Sequence, residues 1–174
     1  MPHHPALPID GLYGFVTTLR SVASNAAQCL EFVILTASRS GEARLATWAE
    51  FDLNAALWSI PGERMKSGRP HRVPLSAPVL LLLQAMPRLE GTELVFPGRD
   101  VSKPLSDMSL TAIMRKMKLE AVPHGFRSTF SDWCAERTAY PAEVLEMALA
   151  HAIGNGNGNG TEEDVELLDY LDYH

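Results

Sequence analysis

Two short segments, ALWSIP at 56–61 and HRVPL at 71–75, alternate apolar and polar side chains, and a Gly-containing stretch separates them. A period of two is what a strand with one buried face requires, and the glycines between can supply the turn, so the pair reads as a long hairpin. Elsewhere the apolar residues recur mostly at helical spacing. A chain that builds one hairpin and otherwise helices is confined to an α+β domain, mostly α-helical, with one small antiparallel sheet.

The helical stretches can be placed in turn. Asp10 stands where it would cap a helix running to about Val22, with Leu12, Phe15, Val16 and Leu19 on one face. A second helix, about Asn25 to Ala37, carries Cys29, Leu30, Phe32, Val33, Ile34 and Leu35 and is apolar nearly all round, the pattern of a buried helix. SRSGEARLATWAEFD reads as a Gly-interrupted turn and a short helix, and SAPVLLLLQAMP as a further buried helix. LVFPG is a short strand or extended connection, and a helix over SDMSLTAIMRKMK starts at Ser106 or Asp107. Pro123 precedes HGFRSTFSDWCAERT, a helix expected to turn Phe126, Phe130, Trp133 and Cys134 inward, and Pro141 opens the helix of YPAEVLEMALAH.

A length of 174 residues suffices for one domain with a real core. No apolar run is long enough to span a bilayer, and the start lacks a signal-peptide pattern. His3 and His4 adjoin on a proline-punctuated terminus and read as solvated. Cys29 and Cys134 fall in apolar helical patterns and read as reduced core residues, which fits a cytoplasmic protein. The net charge of −6 has one source: residues 155–174 hold six acids and no Lys or Arg, leaving 15 acidic against 15 basic residues in the body. A neutral body does not announce nucleic-acid binding, so local clustering must carry that case.

From Gly154 the helical pattern stops. The alternating Gly and Asn of GNGNGNG have no apolar flanks to pair and cannot bury area against ordering entropy, so 155–160 reads as a flexible linker. Beyond it, 161–174 reads as an acidic amphipathic segment, with Thr161 as cap and Val165, Leu168 and Leu171 on one face.

Four places set charged groups beside turns or helix starts: Arg39, Lys66, the pair His124 and Arg127, and His151. Each has an ordinary reading alone. Arg39 can be a helix-end arginine, Lys66 a solvated hairpin tip, His124 a cap neighbour, and His151 a partner of a helix dipole. Together, with neither a Ser or Cys nucleophile motif nor a Gly-rich phosphate loop, they suit one task. Two arginines can grip phosphate oxygens bidentately, a lysine can protonate a leaving oxygen, and a histidine can take a nucleophile's proton. That chemistry calls for no metal or other cofactor, and the spacings of His124, Cys134 and His151 match no common zinc pattern.

ILTASRSGEARLATWAEFD, WSIPGERMKSGRPHRVPLS, LVFPG with KPLSDMSL, HGFRSTFSDWCAE and YPAEVLEMALAH, in that order, resemble the catalytic domain of tyrosine recombinases, the phage and prophage integrase family. The resemblance spans about residues 5 to 154. It implies the mostly helical recombinase catalytic fold with a small three-stranded antiparallel sheet, and double-stranded DNA as partner. It matches Arg39 to the first catalytic arginine, Glu42 to the supporting acid, Lys66 to the hairpin lysine and general acid, His124 and Arg127 to the H-x-x-R pair, and His151 to the later histidine that contacts the scissile phosphate. In the family a tyrosine attacks the phosphate and leaves a phosphotyrosyl link, which a second strand resolves.

One departure stands out. Relatives place the nucleophile about ten residues beyond the second histidine, a place occupied here by Gly160 and Thr161, and no tyrosine lies between His151 and Tyr170. Tyr170 and Tyr173 are the remaining candidates, and a tyrosine on a loosely tethered segment would be poorly aimed, since a misplacement of ~1 Å can cost ~100-fold. The N-terminal DNA-binding domains usual in the family are also expected to be missing from this chain. Three roles compete for the tail: an inert appendage, a segment docking Val165, Leu168 and Leu171 on its own or a neighbouring copy, and an acidic stand-in for DNA in the basic cleft. The functional alternatives are a nucleophile-free DNA-binding or interaction module and a type IB topoisomerase-like protein; MKSGRPHR and KPLSDMSL favour the integrase.

Overall fold

The computed structural model describes residues 6–150. In chain order the elements are α1 (Ile9–Leu19), α2 (Asn25–Thr36), α3 (Ser40–Arg44), β1 (Phe51–Asp52), β2 (Leu57–Ile60), β3 (His71–Pro74), α4 (Ala77–Ala85), α5 (Ser109–Lys116), α6 (Gly125–Arg137) and α7 (Ala142–Ala148). The strands form one antiparallel sheet in the order β1-β2-β3, with Phe51 opposite Trp58, Trp58 opposite Val73 and Ile60 opposite His71. This is the mostly helical α+β architecture expected, and the hairpin falls where the alternation placed it. LVFPG is an extended connection, pinned by isolated bridges from Leu94 to Thr47 and from Pro97 to Pro104.

Helix α2 is the centre of the molecule. Ser24 caps it, its Oγ accepting the Ala27 N–H at 3.1 Å. Cys29, Leu30, Phe32 and Val33 are fully buried, as its all-round apolarity requires. Phe32 joins the helix to the sheet, its ring centre 5.0 Å from Trp58 and 5.4 Å from Phe96, while Trp58 stacks on its cross-strand partner Phe51 at 5.5 Å. Truncating one of the buried aromatics would cost about 3–5 kcal/mol in transfer and cavity terms. The indole Nε1 of Trp58 donates to Glu50 at 2.8 Å, so its polar edge is satisfied inside the core.

Several local expectations need correction. Helix α1 begins behind Pro8, and Asp10 lies inside the first turn without capping it, its carboxylate instead meeting Arg137 of α6 at 3.4 Å. Helix α5 starts at Ser109; Asp107, ahead of it, is ion-paired with Arg44. Helix α4 is not buried all round: Val79 and Leu83 face the core, while Leu81 is 68% exposed. A run of four leucines carries no periodicity, so it cannot tell a buried helix from one with a single buried side. On α6, Phe126 and Cys134 point inward, but Phe130 is half-buried and Trp133 lies toward solvent beside it, ring centres 6.2 Å apart.

Candidate active site

The site is assembled where α2, α3, β3, α6 and α7 converge. Arg39 is the extended residue between α2 and α3. Its own N–H donates to Glu42 Oε2 at 2.9 Å and its Nη1 to Oε1 at 2.8 Å. Glu42 is 7% exposed, so one buried carboxylate both satisfies an open amide at the start of α3 and clamps the Arg39 side chain.

Arg127 sits in the first turn of α6 and is 5% exposed. Its Nη1 donates to the carbonyl of Ala37 and its Nη2 to the carbonyl of Leu149, both at 2.5 Å. Those carbonyls close the C-terminal ends of α2 and α7. Helix C-termini carry partial negative charge, so the guanidinium is held between two matching ends. Ala37 turns into the left-handed region at φ 51° to end α2, a conformation that L side chains adopt at some cost. Burial, and then the nearby Arg39 charge, pull the Arg127 guanidinium down to about 10, with Glu42 and Glu146 of α7 opposing them. At neutral pH it remains a cation. Two cations facing one shared carboxylate form a site whose charge invites an anion.

His71, on β3, belongs to this cluster although it was not among the residues singled out from the sequence. Its side chain hydrogen-bonds the main chain of Ala148 and feels Glu42, Arg127 and Arg39. Burial, the dominant cause, lowers its pKa below the ordinary histidine value. The signal was present in the alternation, since Val73 is buried and the residue two before it in a strand must lie on the same side. Glu146 was likewise missed, and no motif marked it.

Lys66 stands exposed on the turn between β2 and β3, on the same hairpin as His71, and forms no ion pair among the described residues. His124 is exposed at the entry to α6, three residues before the buried Arg127, so their shared spacing gives them unlike surroundings. The structure therefore brings together Arg39, Glu42 and Arg127, with Lys66 and His124 at exposed positions on adjoining elements. His151, Tyr170, Tyr173, the Asn-Gly run and the acidic tail lie outside the described residues. Among the described residues, no group of His, Cys, Asp and Glu side chains is arranged to hold a metal ion, and no helix is long and apolar enough to cross a membrane.

The model of the phage integrase family matches residues 9–155. The chain is 37% identical over 157 residues to the prophage integrase IntA of Escherichia coli strain K12, covering 87% of this chain and 38% of that protein. It is 31% identical over 173 residues to the integrase of Enterobacteria phage P4, covering 88% of this chain and 39% of the other. The chain thus spans about two fifths of the length of the curated relatives it matches. Among solved structures it resembles XerA recombinase, with a TM-score of 0.69 at 13% identity over 99% of this chain and 65% of that one. It also resembles XerH recombinase bound to difH in a pre-cleavage complex, with a TM-score of 0.66 at 18% identity over 88% of this chain and 48% of that one. Those two likenesses establish the shared fold, and the family match extends over nearly the whole body, so this chain belongs to the phage integrase family of tyrosine recombinases.

Proposed function

We propose that this domain serves site-specific DNA recombination, breaking and rejoining a DNA phosphodiester by transesterification through a phosphotyrosyl intermediate. The observation that carries the proposal is the Arg39–Glu42–Arg127 cluster: two arginines fixed by their surroundings around one buried carboxylate. A phosphodiester passing through a pentacoordinate state gathers charge on its non-bridging oxygens, and preorganised guanidinium groups stabilise that charge at little reorganisation cost. In this scheme Arg39 and Arg127 hold the phosphate, Lys66 protonates the departing 5′-oxygen, and His124 and His151 assist proton transfer and orient the phosphate. The protein would work in the cytoplasm of a bacterium, where duplex DNA is its partner. With a body of 15 acidic and 15 basic residues, affinity for DNA rests on this local cluster and is expected to be modest and salt-sensitive.

A second reading is favoured by one observation: no tyrosine lies between His151 and Tyr170. The domain would then grip DNA, or a partner copy through its tail, without cutting. Covalent trapping separates the two. The full chain is incubated with supercoiled plasmid, quenched in denaturant and examined for protein-linked nicked DNA, beside Tyr170→Phe, Tyr173→Phe and Arg39→Ala. A linked product lost in one tyrosine variant and in Arg39→Ala establishes a working nucleophile. Salt-sensitive binding with no linked product supports the binding module. Neither binding nor linkage, in a protein that also sediments as a monomer, would overturn both readings.

A further inference from the structure

The loop that carries Lys66 is tied to the arginine cluster by residues to which no catalytic part was assigned. Arg64, two positions before the lysine, sends Nη1 and Nη2 to the main-chain carbonyl of Glu42 at 3.2 and 3.0 Å. The same Nη2 is ion-paired with Glu50 at 3.0 Å, and Glu50 in turn accepts the Trp58 indole N–H from the core. Arg64 and Glu50 are both largely enclosed, with side-chain exposures of 18% and 9%. Arg64 therefore grips the backbone of the residue whose carboxylate clamps Arg39. The loop is also closed on itself. Met65 N–H donates to Gly62 and Gly68 N–H to Met65, each at 3.0 Å, and the Met65 side chain is buried. A Cβ at Gly62 would lie 2.5 Å from the Gly68 carbonyl oxygen, so only glycine permits that closure without a shift. At the far end of the loop, His71 is fastened to the main chain of Ala148.

We propose that Arg64 is a positioning residue of this site, fixing the Lys66 loop to the Glu42 backbone so that lysine and arginine cluster form one rigid unit before any DNA is bound. This rests on the assignment of Lys66 to the reaction. It also places a demand on the hairpin that its strands alone do not meet. Residues 61–70 separate β2 from β3, and a loop of that length with exposed charged residues would otherwise be free to sample many shapes. Preorganisation removes that ordering cost from the reacting complex.

The test is amide hydrogen exchange on the full chain without DNA, together with the titration of the His71 imidazole followed by NMR. The parent is compared with Arg64→Met, Arg64→Lys and Gly62→Ala. The parent loop is expected to be protected at Met65 and Gly68. Arg64→Met is expected to raise exchange there by about tenfold or more while amides of α2 change by less than about twofold. In the same variant the His71 titration, held down mainly by burial, with Glu42 and the Ala148 main-chain hydrogen bond opposing and Arg127 and Arg39 adding to it, should move up toward 6.5 as that burial is lost. Arg64→Lys, which keeps the charge and one donor point, should restore part of both. Free exchange in the parent loop would overturn the proposal, as would equal loosening of loop and α2 or an unmoved His71 titration. Should Arg64→Met not fold, Gly62→Ala carries the same comparison with Arg64 in place. None of these readouts involves DNA, so a failure of the loop inference and a failure of the recombinase reading are seen in different experiments.

Discussion

Replacing Arg127 by lysine keeps the positive charge and should still loosen the fold. The parent guanidinium reaches the Ala37 carbonyl through Nη1 and the Leu149 carbonyl through Nη2. A lysine ammonium is a single point and cannot span both acceptors in the geometry of a planar fork. With Arg127 only 5% exposed, water cannot readily replace the lost donor. Leaving one buried carbonyl unsatisfied costs about 1–3 kcal/mol. The charge is unchanged, so its desolvation cost largely persists and does not offset that loss. A figure of about 2 kcal/mol corresponds to a fall in Tm of roughly 4–8 °C for a domain of this size. Circular dichroism melts and urea titrations of the full chain at neutral pH measure it. Arg127→Met removes both bonds and the buried charge together, so its loss should be of similar size and not double. An Arg127→Lys protein melting within about 1 °C of the parent would refute the argument, because the two carbonyls would then not depend on the fork.

Two further outcomes follow from the same structure. His71 has a folded-state pKa below 6.5, so the unfolded chain takes up its proton first as pH falls; stability should decline from about pH 7 through 6.5 toward the folded value and level off beneath it. Urea midpoints across that range should show a smaller decline in His71→Gln, and identical pH dependence in the two proteins would rule the imidazole out as a contributor. On α4, Leu83→Ala should cost about 2–5 kcal/mol whereas Leu81→Ser should change stability by less than about 0.5 kcal/mol, since one side chain is 1% and the other 68% exposed. Comparable losses for both would mean that α4 packs on more than one side.

Much of the architecture could be read from local pattern because it is local physics. The hairpin is visible in its alternation, α2 in its unbroken apolar surface, and the starts of α6 and α7 in the prolines before them. Features set by partners distant in sequence were not legible. Strand β1 is two residues long and exists because Phe51 stacks on Trp58. The leucines of α4 differ in burial because nothing among the described residues covers Leu81. At the site, the resemblance brought Arg39, Glu42 and Arg127 into view, and the geometry joins them. His71 and Glu146 were hidden for a different reason: their importance lies in which charges they meet, and Glu42, Ala148 and Arg127 approach them from other parts of the chain. Arg64 looks like any hairpin arginine until its acceptor, a main-chain carbonyl 22 residues earlier, is known.

The structural part played by Arg127 bears on how sequences of this kind should be interpreted. A family member without DNA chemistry would be free to lose an exposed lysine such as Lys66 with little effect on folding. It would still be under pressure to keep Arg127, because its two hydrogen bonds tie the end of α2 to the end of α7. Finding that arginine in a chain is therefore weak testimony of a working enzyme. If Lys66 acts as proposed, retention of that solvent-facing lysine is the more informative sign.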